Sequence, residues 1–434
     1  MKFTVMPGGS ITGDARVPGD KSISHRAIML GALAQGTTRI TGFLEGEDAL
    51  ATVAAFRAMG VSIEGPNQGE VTVHGVGLRG LSAPAGVLDL GNAGTSIRLL
   101  AGLMAGQSFD CVLTGDESLR GRPMGRVMDP LATMGAVLSS EDGGRPPLSV
   151  SGGKTLNSIH YDLPMASAQV KSCVLLAGLY AQGKTSVTEP APTRDHTERM
   201  LRGFGYEVEN DGGVISLQGG GQLTAMEIDV PSDISSAAFF LVAASIAPGS
   251  DLLLTHVGIN PTRTGVLNIL TLMGANIELK NEREIGGEPV ADIRVRYAPL
   301  KGIEIPQDQV PLAIDEFPAL FIAAACAHGR TVLRGAKELR VKESDRIAAM
   351  AEGLTTLGVV NEVLEDGIVI EGGVMGGGDI RTFHDHRIAM AFSIAALRSE
   401  REIQVLDCDH VGTSFPGFDA LARGLGLQIS ALVD

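Results

Sequence analysis

One pattern of apolar and polar positions returns six times along the chain. In each copy an amphipathic stretch is followed by a glycine and then by alternating apolar residues, as in FRAMGVSIE and LTLMGANIE. The six glycines, which lie 68 to 84 residues apart, are Gly60, Gly135, Gly205, Gly274, Gly358 and Gly426. A helix that ends at a glycine in the left-handed conformation and leads into a strand has this pattern. We therefore predict six helix–glycine–strand junctions.

A second pattern lies about half a repeat upstream of each junction: a polar cluster opens an apolar helix rich in Ala and Leu. The six openings are DKSISHR, GNAGTSIR, MASAQVK, DISSAAF, DEFPAL and DHRIAM. Together the two patterns predict a repeat of about seventy residues with the form β-α-β-α-β-β. Because one such repeat is too small to bury much apolar surface alone, we predict an α/β fold whose six repeats group as three and three.

Composition narrows the class of protein. The 434 residues are 44% hydrophobic and 20% charged, which is typical of a globular protein with two or three domains. The net charge of −15 argues against a nucleic acid or an anionic membrane as a partner recognised by bulk charge. The longest apolar runs, such as residues 237–247, are too short to span a membrane and predict buried helices.

Two further features point to the cytoplasm. The first residues lack an apolar stretch of signal-peptide length. The four cysteines are scattered without a CxxC pair, so we expect buried thiols in a reducing compartment rather than disulfides or a metal site.

The segment GLYAQGKT (178–185) matches the phosphate-binding P-loop pattern G-x-x-x-x-G-K-[ST]. A P-loop needs a strand before it and a helix after it. Here the predicted helix comes first and the strand-like TSVTE follows, so we predict no nucleotide site at this segment.

The polar helix openings are candidate anion sites. A helix start presents unpaired N–H groups and about half a positive charge. VPGDKSISHR (17–26) adds Lys21 and Arg26, and GNAGTSIR adds Thr95 and Arg98. The alternative is that these clusters are ordinary helix caps without a functional role. The recurrence of the pattern with added cations favours an anionic small-molecule ligand.

Other stretches add cations and carboxylates. Arg122 stands beside Pro123, which stiffens a loop, and we expect Lys342 and Arg346 to lie one helical turn apart with Glu343 alongside. For that helix the alternative is a solvated first turn with intrahelical ion pairs. Asp315, which we expect to end a strand before an apolar helix, could be a cap or a base. FHDHR (383–387) hints at metal ligands, but no third ligand is evident and we predict no metal site.

Six motifs together resemble those of the 5-enolpyruvylshikimate-3-phosphate synthase family, also called 3-phosphoshikimate 1-carboxyvinyltransferases. They are VPGDKSISHR, GNAGTSIRLL, RPMGRV, MASAQVKS, RVKESDR and DHRIAMAF, in the family's order from residue 17 to about residue 392. The resemblance implies two domains, each of three β-α-β-α-β-β repeats around buried helices (an inside-out α/β barrel), with the active site in the cleft between them. The domains expected are residues 21–232 and residues 1–20 with 233–434.

The resemblance also implies a reaction. The family transfers the enolpyruvyl group of phosphoenolpyruvate to the 5-hydroxyl of 3-phosphoshikimate and releases phosphate, a step of the shikimate pathway toward chorismate and aromatic amino acids. It needs no metal or organic cofactor, and glyphosate inhibits it. We expect a cytoplasmic monomer that acts on these small molecules and binds neither nucleic acid nor a membrane.

Site residues carry over by motif. The expected 3-phosphoshikimate contacts are Lys21, Ser22, Arg26, Ser167, Gln169, Asp315 and Lys342. The expected phosphoenolpyruvate contacts are Lys21, Gly94, Arg122, Gln169, Arg346 and Arg387. The candidates for proton transfer are Asp315, Glu343 and Lys21.

Several positions depart from the family's pattern and suggest a divergent bacterial-type branch. Ala168, Glu338 and Thr413 stand where many members have Ser, Asn and Lys, and Leu99 stands where many have Pro. Two rival functions stay open: a UDP-N-acetylglucosamine enolpyruvyltransferase and a non-catalytic anion-binding protein. The first commonly carries a Cys before its Arg-Pro motif, where this chain has TGDESLRGRP. The second would have little use for Asp315 and Glu343 in an anion pocket.

Overall fold

A computed structural model describes residues 1–432. Its helices are α1 (Lys21–Leu33), α2 (Glu47–Ala58), α3 (Gly94–Ala105), α4 (Glu117–Arg120), α5 (Gly125–Thr133), α6 (Ala168–Gly178), α7 (His196–Gly203), α8 (Ile234–Ile246), α9 (Gly265–Leu272), α10 (Phe317–Ala325), α11 (Arg346–Thr356), α12 (His386–Ala395) and α13 (Phe418–Leu425). Short 3-10 turns span Gln307–Gln309, Pro311–Ala313, Lys337–Val341, Ala396–Arg398 and Cys408–Thr413.

The strands are β1 (Lys2–Val5), β2 (Thr12–Ala15), β3 (Ala34–Thr41), β4 (Ser62–Asn67), β5 (Glu70–Val76), β6 (Leu88–Asp89), β7 (Cys111–Thr114), β8 (Val137–Glu141), β9 (Arg145–Ser151), β10 (His160–Asp162), β11 (Lys184–Thr188), β12 (Glu209–Asp211), β13 (Val214–Gln218), β14 (Leu223–Thr224), β15 (Glu227–Asp229), β16 (Asp251–Gly258), β17 (Asn276–Ile285), β18 (Glu288–Arg296), β19 (Arg330–Leu333), β20 (Asn361–Leu364), β21 (Gly367–Glu371), β22 (Gly378–Ile380), β23 (Ile403–Val405) and β24 (Ile429–Leu432).

The chain divides into two compact units. The terminal unit contains residues 1–18, 231–284 and the chain from residue 288 onward. The inserted unit contains residues 19–230 and 285–287. Each unit has its own hydrophobic core.

The inserted unit contains three sheets. Their strand orders are β14-β3-β5-β4, with β15 also beside β3, then β6-β7-β9-β8, and then β10-β11-β13-β12. Each sheet combines a parallel pair with antiparallel hairpin strands, as in β6 beside β7 and β7 beside β9. Helix α3 connects β6 to β7, and α6 connects β10 to β11. This is the β-α-β crossover followed by a hairpin that the repeat predicts.

Two sheets of the terminal unit repeat the arrangement, with β22 parallel to β23 and β2 parallel to β16, whereas the strands of the third sheet are all antiparallel. The strand orders of this unit are β22-β23-β1-β24, β17-β18-β16-β2 and β19-β21-β20. Helices α8, α10 and α12 pack against one another, and all thirteen residues of α8 are buried. The apolar run at 237–247 is therefore the buried helix that the sequence predicts.

The predicted repeat and the α/β fold class are confirmed. All six repeat glycines have positive φ, between 78° at Gly205 and 118° at Gly426, and each follows a helix, where an L residue would be strained. Within residues 1–432 the strands form six separate sheets, and none of them closes into a barrel. The barrel expected from the family resemblance is thus a set of open sheets around buried helices.

The local structure also bears on the segment that matches the P-loop pattern (178–185). Helix α6 ends at the start of this segment and strand β11 begins within it at Lys184, which is the reverse of the strand–helix order that a P-loop requires. Among residues 1–432, no helix is both long enough and apolar enough to cross a membrane.

His25 is buried in the inserted unit and joins three helices. Its Nδ1 atom lies 2.8 Å from Thr52 Oγ1 on α2 and 3.1 Å from Ser96 Oγ on α3. Burial, with the nearby charges of Lys21 and Arg26, lowers the pKa of His25 to about 3. The imidazole is therefore neutral in the folded protein at neutral pH, and its contacts with Thr52 and Ser96 are those of a structural hydrogen-bonding residue.

We predict that His25 makes the inserted unit acid-labile. In the unfolded chain a histidine takes up a proton below its ordinary pKa of about 6.5, whereas the folded chain resists protonation down to a pKa of about 3. Stability is thus lost as the pH falls below about 6.5, by about 2 kcal/mol at pH 5. Urea unfolding at pH 7 and pH 5 should show this extra loss in the wild type and not in His25→Asn. An equal pH dependence of the two proteins would contradict the prediction.

Candidate active site

Helix α1 begins at the motif that carries Lys21. Asp20 caps the helix by accepting a hydrogen bond from the Ile23 N–H at 2.9 Å, so Lys21 is the first helical residue. Lys21 Nζ lies 2.9 Å from Asp48 Oδ2 on α2, and the two side chains are only 17% and 6% exposed. Sequence reasoning missed Asp48, although an acidic pair at a helix start was visible in GEDAL.

Arg26 lies one turn further along α1 and is buried. Its Nε donates to Thr197 Oγ1 at 2.7 Å, its Nη2 to Ser172 Oγ at 3.0 Å and its Nη1 to the Ser22 carbonyl at 2.9 Å. The guanidinium is therefore fixed by hydroxyl groups from other parts of the inserted unit. Ser22 itself is partly exposed at the helix start.

A second cluster surrounds the start of α3. Arg98 Nη1 donates to Gln169 Oε1 at 2.6 Å, and Gln169 Nε2 donates to Thr95 Oγ1 at 3.1 Å. These bonds join the starts of α3 and α6. The predicted site residue Gln169 therefore contacts Arg98. Sequence reasoning identified Arg98 as a hydrogen-bond donor but assigned it to neither substrate.

Arg122 lies over the same helix start. Its Nη2 donates to Asn92 Oδ1 at 2.7 Å and to Ser118 Oγ at 3.1 Å. A methyl group added at Gly94 would lie 2.8 Å from Arg122 Nη1 and 3.2 Å from Arg98 Nη1. The absence of a side chain at Gly94 therefore leaves room for two guanidinium groups beside the N–H groups of α3.

Ser167 occupies the start of α6. It is the helix cap, with its Oγ 3.4 Å from the Val170 nitrogen, and its side chain is partly exposed. The predicted residues of the inserted unit consequently lie at the starts of its three buried helices α1, α3 and α6, with Arg122 in the loop before α5.

In the terminal unit the predicted residues gather around Arg346, whose side chain is 0% exposed. Its Nε lies 2.8 Å from Asp385 Oδ2, its Nη2 2.6 Å from Glu343 Oε2 and its Nη1 3.4 Å from Asp315 Oδ1. Burial opposes the charge of Arg346, but the three carboxylates more than offset this and raise its pKa above the ordinary arginine value. Burial likewise opposes the charge of Asp385, but Arg346 keeps the pKa of that carboxyl below its ordinary value.

Asp315 and Lys342 complete this cluster. Lys342 Nζ lies 3.5 Å from Asp315 Oδ1, on the oxygen that Arg346 also faces. The prediction of a strand before Asp315 is wrong, because residues 311–313 form a 3-10 turn that begins at Pro311. Asp315 lies between that turn and α10, in the connection that leads to an apolar buried helix.

The expected single helix through Lys342 and Arg346 is also wrong. A 3-10 turn ends at Val341, and α11 begins only at Arg346. The reason is Asp345, whose side chain caps α11 by accepting from the Ala348 N–H at 3.0 Å. Lys342 and Glu343 therefore lie in the extended connection before α11 and reach Asp315 and Arg346 from there.

Asp385 also shapes the start of α12. Its Oδ1 accepts the Arg387 N–H at 3.0 Å, and its Oδ2 accepts from Ser344 Oγ at 2.9 Å. Arg387 follows as a buried residue in the first turn of α12. Among the residues that the structure describes, no group of three His, Cys, Asp or Glu side chains is placed to hold a metal ion.

A further buried cluster includes the residue that follows Asp315 in the sequence. Sequence reasoning missed the cation of this cluster, Arg263. Arg263 Nη2 donates to Ser235 Oγ at 2.7 Å and lies 3.1 Å from Asp233 Oδ1. Ser235 in turn donates to Glu316, the neighbour of Asp315. Ionic contacts therefore join the start of α8 to the start of α10.

The fold matches that of a known structure. This chain superposes on the enolpyruvyl transferase NikO from Streptomyces tendae with a TM-score of 0.80 and 18% sequence identity, over 99% of this chain and 98% of the NikO chain. At that identity the likeness establishes the fold alone. The molecule therefore has the fold of an enolpyruvyl transferase, with cations and carboxylates clustered at its helix starts.

Closer relatives define the family. The family model for EPSP synthase (3-phosphoshikimate 1-carboxyvinyltransferase) matches residues 5–421. A 3-phosphoshikimate 1-carboxyvinyltransferase from Alkalilimnicola ehrlichii is 67% identical over 99% of this chain and 97% of its own length. The EPSP synthase of Acinetobacter baumannii is 60% identical, with a TM-score of 0.89 and 99% coverage of both chains. The chain belongs to the EPSP synthase family.

We predict that the Arg346 cluster is a requirement for the fold of the terminal unit. Asp385→Ala leaves a buried guanidinium without the carboxylate that contacts its Nε and removes the cap of α12. The expected cost is about 3–5 kcal/mol in the free energy of unfolding, measured by urea denaturation.

The matched control is Asp419→Ala, which breaks the exposed Arg423–Asp419 pair of the same unit. That change should cost no more than about 0.5 kcal/mol. A similar small loss for both variants would contradict the structural role of Asp385.

Proposed function

We propose that this chain transfers the enolpyruvyl group of phosphoenolpyruvate to the 5-hydroxyl of 3-phosphoshikimate, giving 5-enolpyruvylshikimate 3-phosphate and phosphate. The observation that carries the proposal is membership of the EPSP synthase family over residues 5–421, nearly the whole chain. The chain is an enzyme of this family rather than a passive anion-binding protein.

We assign 3-phosphoshikimate to seven residues: Lys21, Ser22, Arg26, Ser167, Gln169, Asp315 and Lys342. Five of them lie in or at the starts of α1 and α6, where unpaired N–H groups favour a phosphate. Arg26 is already fixed by hydroxyl groups, so its geometry is set before a ligand arrives.

We assign phosphoenolpyruvate to six residues: Lys21, Gly94, Arg122, Gln169, Arg346 and Arg387. Three are guanidinium groups, which suit the paired oxygens of carboxylate and phosphate. The room left at Gly94 beside Arg122 and Arg98 supports an anion at the start of α3. Thr413 is buried and donates to the His410 carbonyl at 2.7 Å, so it adds no cation where many relatives have Lys.

The reaction is an addition followed by an elimination. The 5-hydroxyl oxygen bonds to C2 of phosphoenolpyruvate, its proton is removed, and the methylene carbon C3 gains a proton. In the second step C3 loses a proton, the C2–O bond to phosphate breaks, and the enol ether double bond forms. We propose Asp315, Glu343 and Lys21 as the groups that move these protons, with Asp315 at the reacting hydroxyl.

Local charge explains how an acidic protein binds two anions. The substrates carry two phosphates of about −1.5 to −2 each and two carboxylates, about −5 to −6 in total. Six cations face them in this assignment: Lys21, Arg26, Arg122, Lys342, Arg346 and Arg387. Asp48, Asp315, Glu343 and Asp385 neutralise part of that charge. The helix starts add about half a positive charge each.

We also propose that the protein works as a cytoplasmic monomer, without a metal or organic cofactor and without nucleic acid or membrane partners. The net charge of −15 supports the last point, because it disfavours polyanionic surfaces.

The direct test is phosphate release on mixing the protein with phosphoenolpyruvate and 3-phosphoshikimate, followed by mass detection of the enolpyruvyl product. We expect release with 3-phosphoshikimate and none with UDP-N-acetylglucosamine. Release with the UDP-sugar alone, or with neither acceptor, would overturn the proposal.

We predict that Asp315→Asn separates catalysis from binding. Without a base at the reacting hydroxyl, turnover should fall about 10²- to 10⁴-fold. The affinity for 3-phosphoshikimate, measured by calorimetry, should change only a few fold, since the amide can still hydrogen bond and a negative charge is removed. Asp308→Asn, at an exposed position in the same unit, is the control and should keep normal turnover. Near-normal turnover in Asp315→Asn would refute the assignment.

A further inference from the structure

Asp48 forms an ion pair with Lys21 within the inserted unit. Its Oδ2 lies 2.9 Å from Lys21 Nζ, and both side chains are largely buried. Asp48 lies in the first turn of α2, whereas Lys21 is the first residue of α1. The pair therefore joins the starts of two helices through residues that are 27 positions apart in the sequence.

The carboxylate of Asp48 contacts Lys21 through one oxygen, Oδ2. Among the described residues, no hydrogen-bond donor reaches the other oxygen of Asp48, Oδ1, although that atom is buried. A buried carboxylate oxygen without a donor is costly, so the contact of Oδ2 with an ammonium is what compensates the charge of Asp48.

The position of Asp48 is fixed by the helix that carries it. One turn later on α2, Thr52 Oγ1 lies 2.8 Å from His25 Nδ1 of α1 and also contacts Ser96 of α3. Ser96 Oγ lies 3.1 Å from the same His25 nitrogen. This three-residue contact holds α1, α2 and α3 together just behind the Lys21–Asp48 pair.

Other charged groups near α1 have their own partners. Glu198 of α7 lies 2.7 Å from Lys171 Nζ, and Arg98 of α3 donates to Gln169. Arg26 of α1 donates to Thr197 and Ser172, and His25 of α1 is buried against hydroxyl groups. Asp20 of the preceding turn caps α1. Asp48 is thus the carboxylate best placed to act on Lys21.

We propose that Asp48 is a positioning residue that holds the Lys21 ammonium at the start of α1 for the reaction. A lysine side chain loses rotamer entropy when it is fixed, and a carboxylate within hydrogen-bond distance supplies the constraint. The inference rests on the role of Lys21 in the proposed function.

The test is Asp48→Asn, with Glu47→Gln as the matched control. Glu47 is the exposed neighbour of Asp48 in the same helical turn, so the control removes an equal charge from the same helix start. In Asp48→Asn, kcat/KM should fall about ten- to a hundredfold because Lys21 is no longer held in place. Glu47→Gln should leave kcat/KM unchanged.

Asp48→Glu keeps the charge on a longer side chain, so it should give an intermediate kcat/KM, and it serves if Asp48→Asn fails to fold. In a Lys21→Ala background, Asp48→Asn should change the residual rate less than twofold. An Asp48→Asn enzyme whose kcat/KM matches that of Glu47→Gln would overturn the inference, as would an equal rate loss from Asp48→Asn in the wild-type and Lys21→Ala backgrounds. Absence of phosphate release in the wild type would instead be a failure of the proposed function.

Discussion

The buried guanidinium of Arg346 is the constraint on which the terminal unit depends. A charge removed from water must be paired, and Arg346 contacts carboxylates from Asp315, Glu343 and Asp385. These residues come from three separate segments: the connection before α10, the extended stretch before α11 and the start of α12. Pairing this one cation therefore fixes the positions of three carboxylates from separate segments.

The inserted unit follows the same rule with different residues. Lys171, wholly buried, lies 3.0 Å from Glu189 Oε2 and 2.7 Å from Glu198 Oε1. It neighbours Ser172, which accepts from Arg26 of α1, so a buried ion cluster and the Arg26 guanidinium contact the same turn of α6. Paired charges behind the helix starts leave the N–H groups of those starts available to an anion. An acidic protein can in this way present cationic sites locally.

The repeat could be predicted from the sequence because the signals that mark each copy are local. A glycine after one helix and a polar cluster near the start of the buried helix leave a mark at a similar place in every repeat. The partners of the buried cations leave no such mark. Asp48, Glu198 and Arg263 are distant in sequence from the residues they pair with, so only the folded chain brings them together. The error at Lys342 and Arg346 has a local cause: one cap, Asp345, starts the helix later than the spacing suggested.

The central proposal is that the helix starts named in the substrate assignment bind phosphoenolpyruvate and 3-phosphoshikimate. Amide hydrogen exchange tests it most directly, with the protein alone, with phosphate alone, and with phosphoenolpyruvate and 3-phosphoshikimate together. The account predicts that the substrate pair slows exchange at residues 21–26 and 94–98 of the inserted unit and also at residues 343–348 and 386–389 of the terminal unit. Protection confined to one unit, or protection that phosphate alone reproduces, would contradict it.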